Sequence, residues 1–87
     1  MMSNIFETIQ KMREHFGWDK TDTKEFLVEA ILEEAQELKA SLDLDEAAFK
    51  GELADVLMYA LALCIDNDID VESLIEEKAL EVMKREY

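Results

Sequence analysis

Two pairs of acidic residues are the part of this chain best suited to chemistry. Glu34 and Glu37 stand three apart, as do Glu52 and Asp55, and in a helix that spacing turns both members of a pair to one side. At about 100° per residue, Glu34 falls inside an apolar stripe of Leu27, Ala30, Ile31 and Leu38, with Glu37 at its edge and Glu25, Glu29 and Gln36 opposite. Glu52 and Asp55 share a side with Ala48, Tyr59 and Leu63, and Asp55 is the one charged residue in the 13 positions from Leu53 to Ile65. A carboxylate buried without a partner costs several kcal/mol or takes up a proton. Four converging carboxylates on apolar faces are reconciled with that cost by a divalent cation held between them.

The overall charge is consistent with this. With 22 acidic and 9 basic residues the chain carries a net charge of −13, which argues against a nucleic-acid polymer or an anionic membrane as partner. An anionic ligand would need metal ions to neutralise both sides, and Mg²⁺, with Mn²⁺ as the other candidate, suits hard carboxylate and phosphate oxygens.

The elements that must position the acids follow from composition and periodicity. The 87 residues, 49% hydrophobic and without proline, are expected to form one all-α domain over 1–87, of a size that gains from oligomerisation. Ile5, Phe6, Ile9, Met12 and Phe16 mark a first amphipathic helix from about Ser3 to His15, capped by Ser3 or Asn4. Residues 17–23, dense in turn formers, are read as a linker. Its Trp18 either plugs the core or offers an aromatic plane on which a base could stack beside the acids.

A second helix is expected from Asp22 or Thr23 to Leu42, with Asp22 and Glu25 as a capping box. Val28 and Leu32 lie outside its main stripe and point to a dimer contact. The third helix, about Glu46 to Ile65, is apolar nearly all round beyond Leu53, as befits the centre of an oligomer. Asp70 caps a last helix from Val71 to about Glu86, whose inner stripe is Val71, Ile75 and Val82. Lys78 and Arg85, seven apart and so about 10 Å along its edge, can reach phosphates bound at the carboxylates. The predicted architecture is a four-helix protomer whose acidic second and third helices form the core of a helical-bundle dimer.

Several chemistries are absent. The single histidine, His15, cannot supply the paired Glu-x-x-His motifs of a di-iron bundle. Cys64 has no partner for a disulfide and is expected to be a buried, inert thiol. No Gly-rich phosphate loop, Ser/His/Asp set or zinc spacing occurs. Asp66-Asn67-Asp68 lacks the Gly and Glu of a calcium loop. Without an apolar leader near the N-terminus, or an apolar run of about 20 residues, a soluble cytoplasmic protein is expected.

Glu34-x-x-Glu37, a gap of 14 residues and then Glu52-x-x-Asp55 resembles the metal site of the all-α NTP pyrophosphohydrolase superfamily, and within it the MazG-like proteins. Trp18-Asp19-Lys20-Thr21-Asp22-Thr23 is similar to their Trp-Asp-x-x-Gln-Thr element, with Asp22 in place of Gln. Asp70, Lys78, Lys84 and Arg85 match their closing helix, with Val82 where many relatives have Asn. The resemblance runs from Phe16 onward. It implies Mg²⁺- or Mn²⁺-dependent hydrolysis of nucleoside triphosphates to monophosphate and pyrophosphate, in nucleotide-pool house-cleaning, by a homodimer or dimer of dimers.

On that resemblance Glu34, Glu37, Glu52 and Asp55 are the metal ligands, and Glu33 orients or deprotonates the attacking water. Lys78 and Arg85 neutralise the departing pyrophosphate, while Lys20 and Trp18 meet phosphates and base. Two rivals stand beside this reading. One is phosphoribosyl-ATP pyrophosphohydrolase, which shares the acidic motif but generally lacks the Trp-Asp element. The other is a non-enzymatic acidic helical module that oligomerises through its third helix.

Overall fold

The computed structural model describes residues 3–85, and every regular element among them is helical. In chain order these are α1 (Ser3–Phe16), α2 (Trp18–Thr21), α3 (Lys24–Ala40), α4 (Glu46–Asp66) and α5 (Val71–Met83), with a 3₁₀ turn at Ser41–Asp43 before α4. The all-α class expected from the sequence is the class found. The expected end of the last helix at Glu86 lies outside the described residues.

Helix ends are set by local chemistry. Gly17 has φ 74°, a left-handed conformation that stops α1 and starts α2 without the strain a side chain would bring. α2 is a single helical turn inside the stretch expected to be a linker, so the described residues form five α-helices rather than four. The capping box expected from Asp22 and Glu25 does not form. Thr23 caps α3, its hydroxyl accepting from the Phe26 N–H at 3.0 Å, and Asp22 closes α2 instead. Asp45 caps α4 by accepting from the Ala48 N–H at 2.8 Å. Asp70 caps α5 as expected, accepting from the Glu72 N–H and the Ser73 hydroxyl.

α3 and α4 form a helical hairpin and share the most extensive packing in the molecule, while α1 lies against α4 and α2. The fully buried apolar residues are Ile9, Leu27, Ala30 and Ala62, one or two from each of α1, α3 and α4. The stripe predicted for α3 faces inward, with Leu27 and Ala30 buried, Ile31, Glu34 and Leu38 half-buried and Gln36 exposed. Cys64 is half-buried rather than enclosed. Val28 and Leu32 are exposed, as are Leu53 and Leu57 on α4.

Two features depart from expectation. Arg13 is 2% exposed; its guanidinium donates to both carboxylate oxygens of Asp66, at 2.9 and 2.8 Å, tying α1 to the end of α4. α5 packs along no other described helix. Its predicted inner stripe is open to solvent: Ile75 is 60% exposed, Val82 is exposed and Val71 only half-buried. Among the described residues no other element covers it.

Candidate active site: an acidic cluster opening on an aromatic cavity

The α3/α4 hairpin fixes the acidic cluster. Glu34 and Glu37 from α3 and Glu52 from α4 each bring a carboxylate oxygen within 4.8 Å of the others. Asp55, one turn along α4, shares a hydrogen bond with Glu34. Three of the four acids expected to converge, Glu34, Glu37 and Glu52, therefore form one cluster, and Asp55 interacts with Glu34 beside it. Glu34, Glu52 and Asp55 are half-buried and Glu37 lies at the exposed edge.

The electrostatics match that crowding. A hydrogen bond shared with Glu37 is the largest influence on Glu34, followed by burial and the charges and hydrogen bond of Glu37 and Asp55, and together they push it up to about 7. Glu52 is in a different difficulty. Its Oε2 has no contact with solvent and no hydrogen-bond partner, a position that ordinarily means an ion or ordered water belongs there. Carboxylate oxygens alone, without nitrogen or sulfur donors, suit Mg²⁺ or Mn²⁺ rather than zinc. The donor set fits such an ion.

Beside the cluster lies a cavity of about 300 Å³ lined by Trp18, Tyr59, Asp22, Arg13 and Asp55 together with apolar side chains of α1, α3 and α4. Asp55 thus adjoins the cluster and lines the cavity. Trp18 is 42% exposed, so it does not plug the core. It stacks on Phe16, centroids 4.6 Å apart and planes at 20°, and presents an aromatic surface at the cavity. Burial, then the charges of Glu34, Asp55, Asp22 and Glu33, raise the Tyr59 hydroxyl above its ordinary value and keep it a neutral hydrogen-bond donor.

The other expected site residues are placed differently. Glu33 is exposed on α3 next to the cluster. Lys20 is exposed on α2 and does not line the cavity. Lys78 and Arg85 both bond to Glu81, and because α5 packs along neither α3 nor α4, the protomer does not bring them to the acids. Sequence reasoning missed Arg13 as part of the cavity wall. The signal was available: Arg13 is one turn beyond Ile9, inside the apolar stripe of α1.

The fold and site define an all-α protein with a cation-suited carboxylate cluster that opens on an aromatic cavity. The sequence model of the phosphoribosyl-ATP pyrophosphohydrolase family matches residues 2–80, and the chain belongs to that family. It is a pyrophosphohydrolase acting on phosphoric anhydrides of a nucleotide, within the all-α NTP pyrophosphohydrolase superfamily that also contains MazG. No curated protein and no solved structure matches the chain significantly. Among the described residues no helix is long and apolar enough to cross a membrane.

Proposed function

We propose that this protein hydrolyses the anhydride of an adenine-bearing triphosphate to a monophosphate and pyrophosphate with Mg²⁺, phosphoribosyl-ATP being the first substrate to test. The observation that carries the proposal is that Asp55, which interacts with Glu34 of the cluster, also lines the cavity. A nucleotide laid across them has its phosphates at the acids and its base against Trp18. The family match supports phosphoribosyl-ATP in particular. One observation favours a second reading, MazG-like cleavage of ordinary nucleoside triphosphates: the stacked Trp18 is part of the cavity wall.

In this proposal Glu34, Glu37, Glu52 and Asp55 hold the ions. Bound there, Mg²⁺ or Mn²⁺ polarises a phosphoryl oxygen and acidifies a water. Glu33, exposed next to the ligands, takes the proton of the attacking water at its carboxylate. Tyr59 donates from the cavity side, and the apolar wall of Met12, Met58 and Ala62 excludes water from the base. Lys20 lies within the same short helix as Trp18 and meets the phosphates from the solvent side. Lys78 and Arg85 supply positive charge to the leaving pyrophosphate from a second copy of the chain, in a dimer or dimer of dimers that covers α5.

The test is pyrophosphate release from phosphoribosyl-ATP and from a panel of NTPs and dNTPs, with and without Mg²⁺. Turnover of phosphoribosyl-ATP alone supports the first reading, and turnover of ordinary triphosphates in preference supports the second. Both fail if no substrate is cleaved by the wild type, or if Glu37→Gln and Glu52→Gln variants cleave as fast as it does.

A further inference from the structure

Two carboxylates line the cavity, and their surroundings differ. Asp55 adjoins the acidic cluster. Asp22 belongs to the wall that carries Trp18: it closes α2, and its backbone N–H donates to the Trp18 carbonyl at 2.9 Å. The two side chains are therefore held in fixed register by one turn of helix.

Asp22 is also nearly enclosed. Its side chain is 12% exposed, and the Arg13 side chain, 3% exposed, has Nη2 at 3.8 Å from its Oδ2. That distance supplies charge compensation without a hydrogen bond, because Nη1 and Nη2 of Arg13 are both directed at Asp66. Among the described residues no donor bonds to the Asp22 carboxylate. The space in front of this acceptor is the cavity, so its open lone pairs are met by water or by an N–H or O–H of whatever the cavity binds.

A base stacked on Trp18 presents its edge to the same wall. An exocyclic amino group there is a donor, whereas an oxo group sets lone pairs against lone pairs. We propose that Asp22 is the specificity-determining residue of the cavity, accepting a hydrogen bond from the exocyclic amino group of a purine or pyrimidine and so selecting adenine- and cytosine-type bases over their oxo counterparts. Arg13 is its positioning residue, its guanidinium lying 3.8 Å from the carboxylate at the cavity wall. The inference rests on the nucleotide reading of the site and names the residue that selects its base.

Trp18 is the chain's one tryptophan, so its fluorescence reports base stacking directly. The experiment titrates the wild type and Asp22→Asn with two pairs that differ by amino against oxo, ATP with ITP and CTP with UTP, in Mg²⁺ and in the form of non-hydrolysable α,β-methylene analogues. The expected result is quenching with about tenfold or greater preference for the amino member in the wild type, since an acceptor set against the exocyclic position disfavours the analogue whose group there is itself an acceptor, the ring N–H of the oxo bases lying one position away. In Asp22→Asn, whose amide both donates and accepts, the preference falls to about twofold or less. Equal affinity for both members in the wild type overturns the inference while leaving the nucleotide reading intact, and it does so without any variant having to fold. An unchanged preference in a folded Asp22→Asn protein overturns it as well. Absence of quenching by every nucleotide overturns the inference, while the reading beneath it is decided by pyrophosphate release from phosphoribosyl-ATP.

Discussion

Glu34 makes the binding of a cation a competition with a proton. The carboxyl is pushed up to about 7 by Glu37, burial and Asp55, yet a metal ligand must be deprotonated. With that value about nine-tenths of Glu34 is ionised at pH 8 and about one-tenth at pH 6. Mn²⁺ affinity should therefore fall about tenfold between pH 8 and pH 6, one proton being released per ion bound at the lower pH. An ordinary carboxylate, titrating near 4.5, would change affinity over that interval by only about 3%. Isothermal titration with Mn²⁺ at pH 6, 7 and 8, in buffers of different ionisation enthalpy, measures both affinity and protons released. Glu34→Gln should bind more weakly with a flat pH profile. The sign for stability follows from the same value. Because the folded pKa lies above the ordinary one, protonated Glu34 favours the folded state without metal, and that contribution is lost as pH rises from about 4.5 through about 7. Metal reverses the trend by binding the ionised form. A wild-type affinity that varies less than twofold from pH 8 to pH 6 would refute the claim that Glu34 is both proton-laden and a ligand.

Other consequences can be checked on the folded protein. Arg13→Met removes one partner of a bidentate pair with Asp66 and strands the Asp22 charge, so urea denaturation should show a loss of about 3 kcal/mol; a loss below about 1 kcal/mol would mean the pair is no more than a surface contact. Gly17→Ala should cost about 1 kcal/mol from backbone strain alone, since φ is 74° and an added Cβ meets nothing within 4 Å. Thr23→Ala should cost about 1 kcal/mol through loss of the α3 cap, whereas Asp22→Asn should leave that cap intact. Light scattering should give at least twice the 10.1 kDa chain mass, and Leu32→Asp, on the exposed side of α3, should lower it; a monomer at high micromolar concentration would refute the proposed oligomer.

The acidic cluster was legible because it violates a simple rule. Glu34 and Asp55 interrupt apolar stripes, and periodicity alone turns them inward; the α3/α4 hairpin then needs only a short connection to bring them together. The cap at Asp70 was legible from local pattern alone. Asp22 was misread because its type and its spacing to Glu25 satisfy a capping rule that Thr23 satisfies better. What decided the matter was tertiary: Arg13, buried on α1, draws Asp22 to the cavity wall. No local pattern reports a contact between α1 and the start of α3. The placement of α5 was illegible for a related reason. Its stripe is amphipathic and correctly periodic, but periodicity identifies a face to be covered and not the chain that covers it.

That uncovered face bears on how the site works. A compact monomer of this mass would expose about 5,300 Å², against 6,821 Å² for this chain, and would have a radius of gyration of about 12 Å, against 14.7 Å. The excess, about 1,500 Å² per chain, is about twice the roughly 800 Å² that a standard-size interface removes from one partner and falls in the range of obligate homodimers. Much of it is apolar: Leu32 on α3, Leu57 on α4, and Ile75, Leu80 and Met83 on α5 are all more than half exposed. A second copy is the natural cover, yet each copy carries a net charge of −13 and the two repel. The proposed ions and the proposed dimer are therefore coupled. In this proposal cations at the cluster lower the repulsion that opposes association, and association brings Lys78 of one copy toward an acidic cluster that has no cationic partner among the described residues of its own chain. On this account divalent metal should tighten the oligomer as well as support turnover, and salt, which screens repulsion but does not fill the cluster, should do only the first.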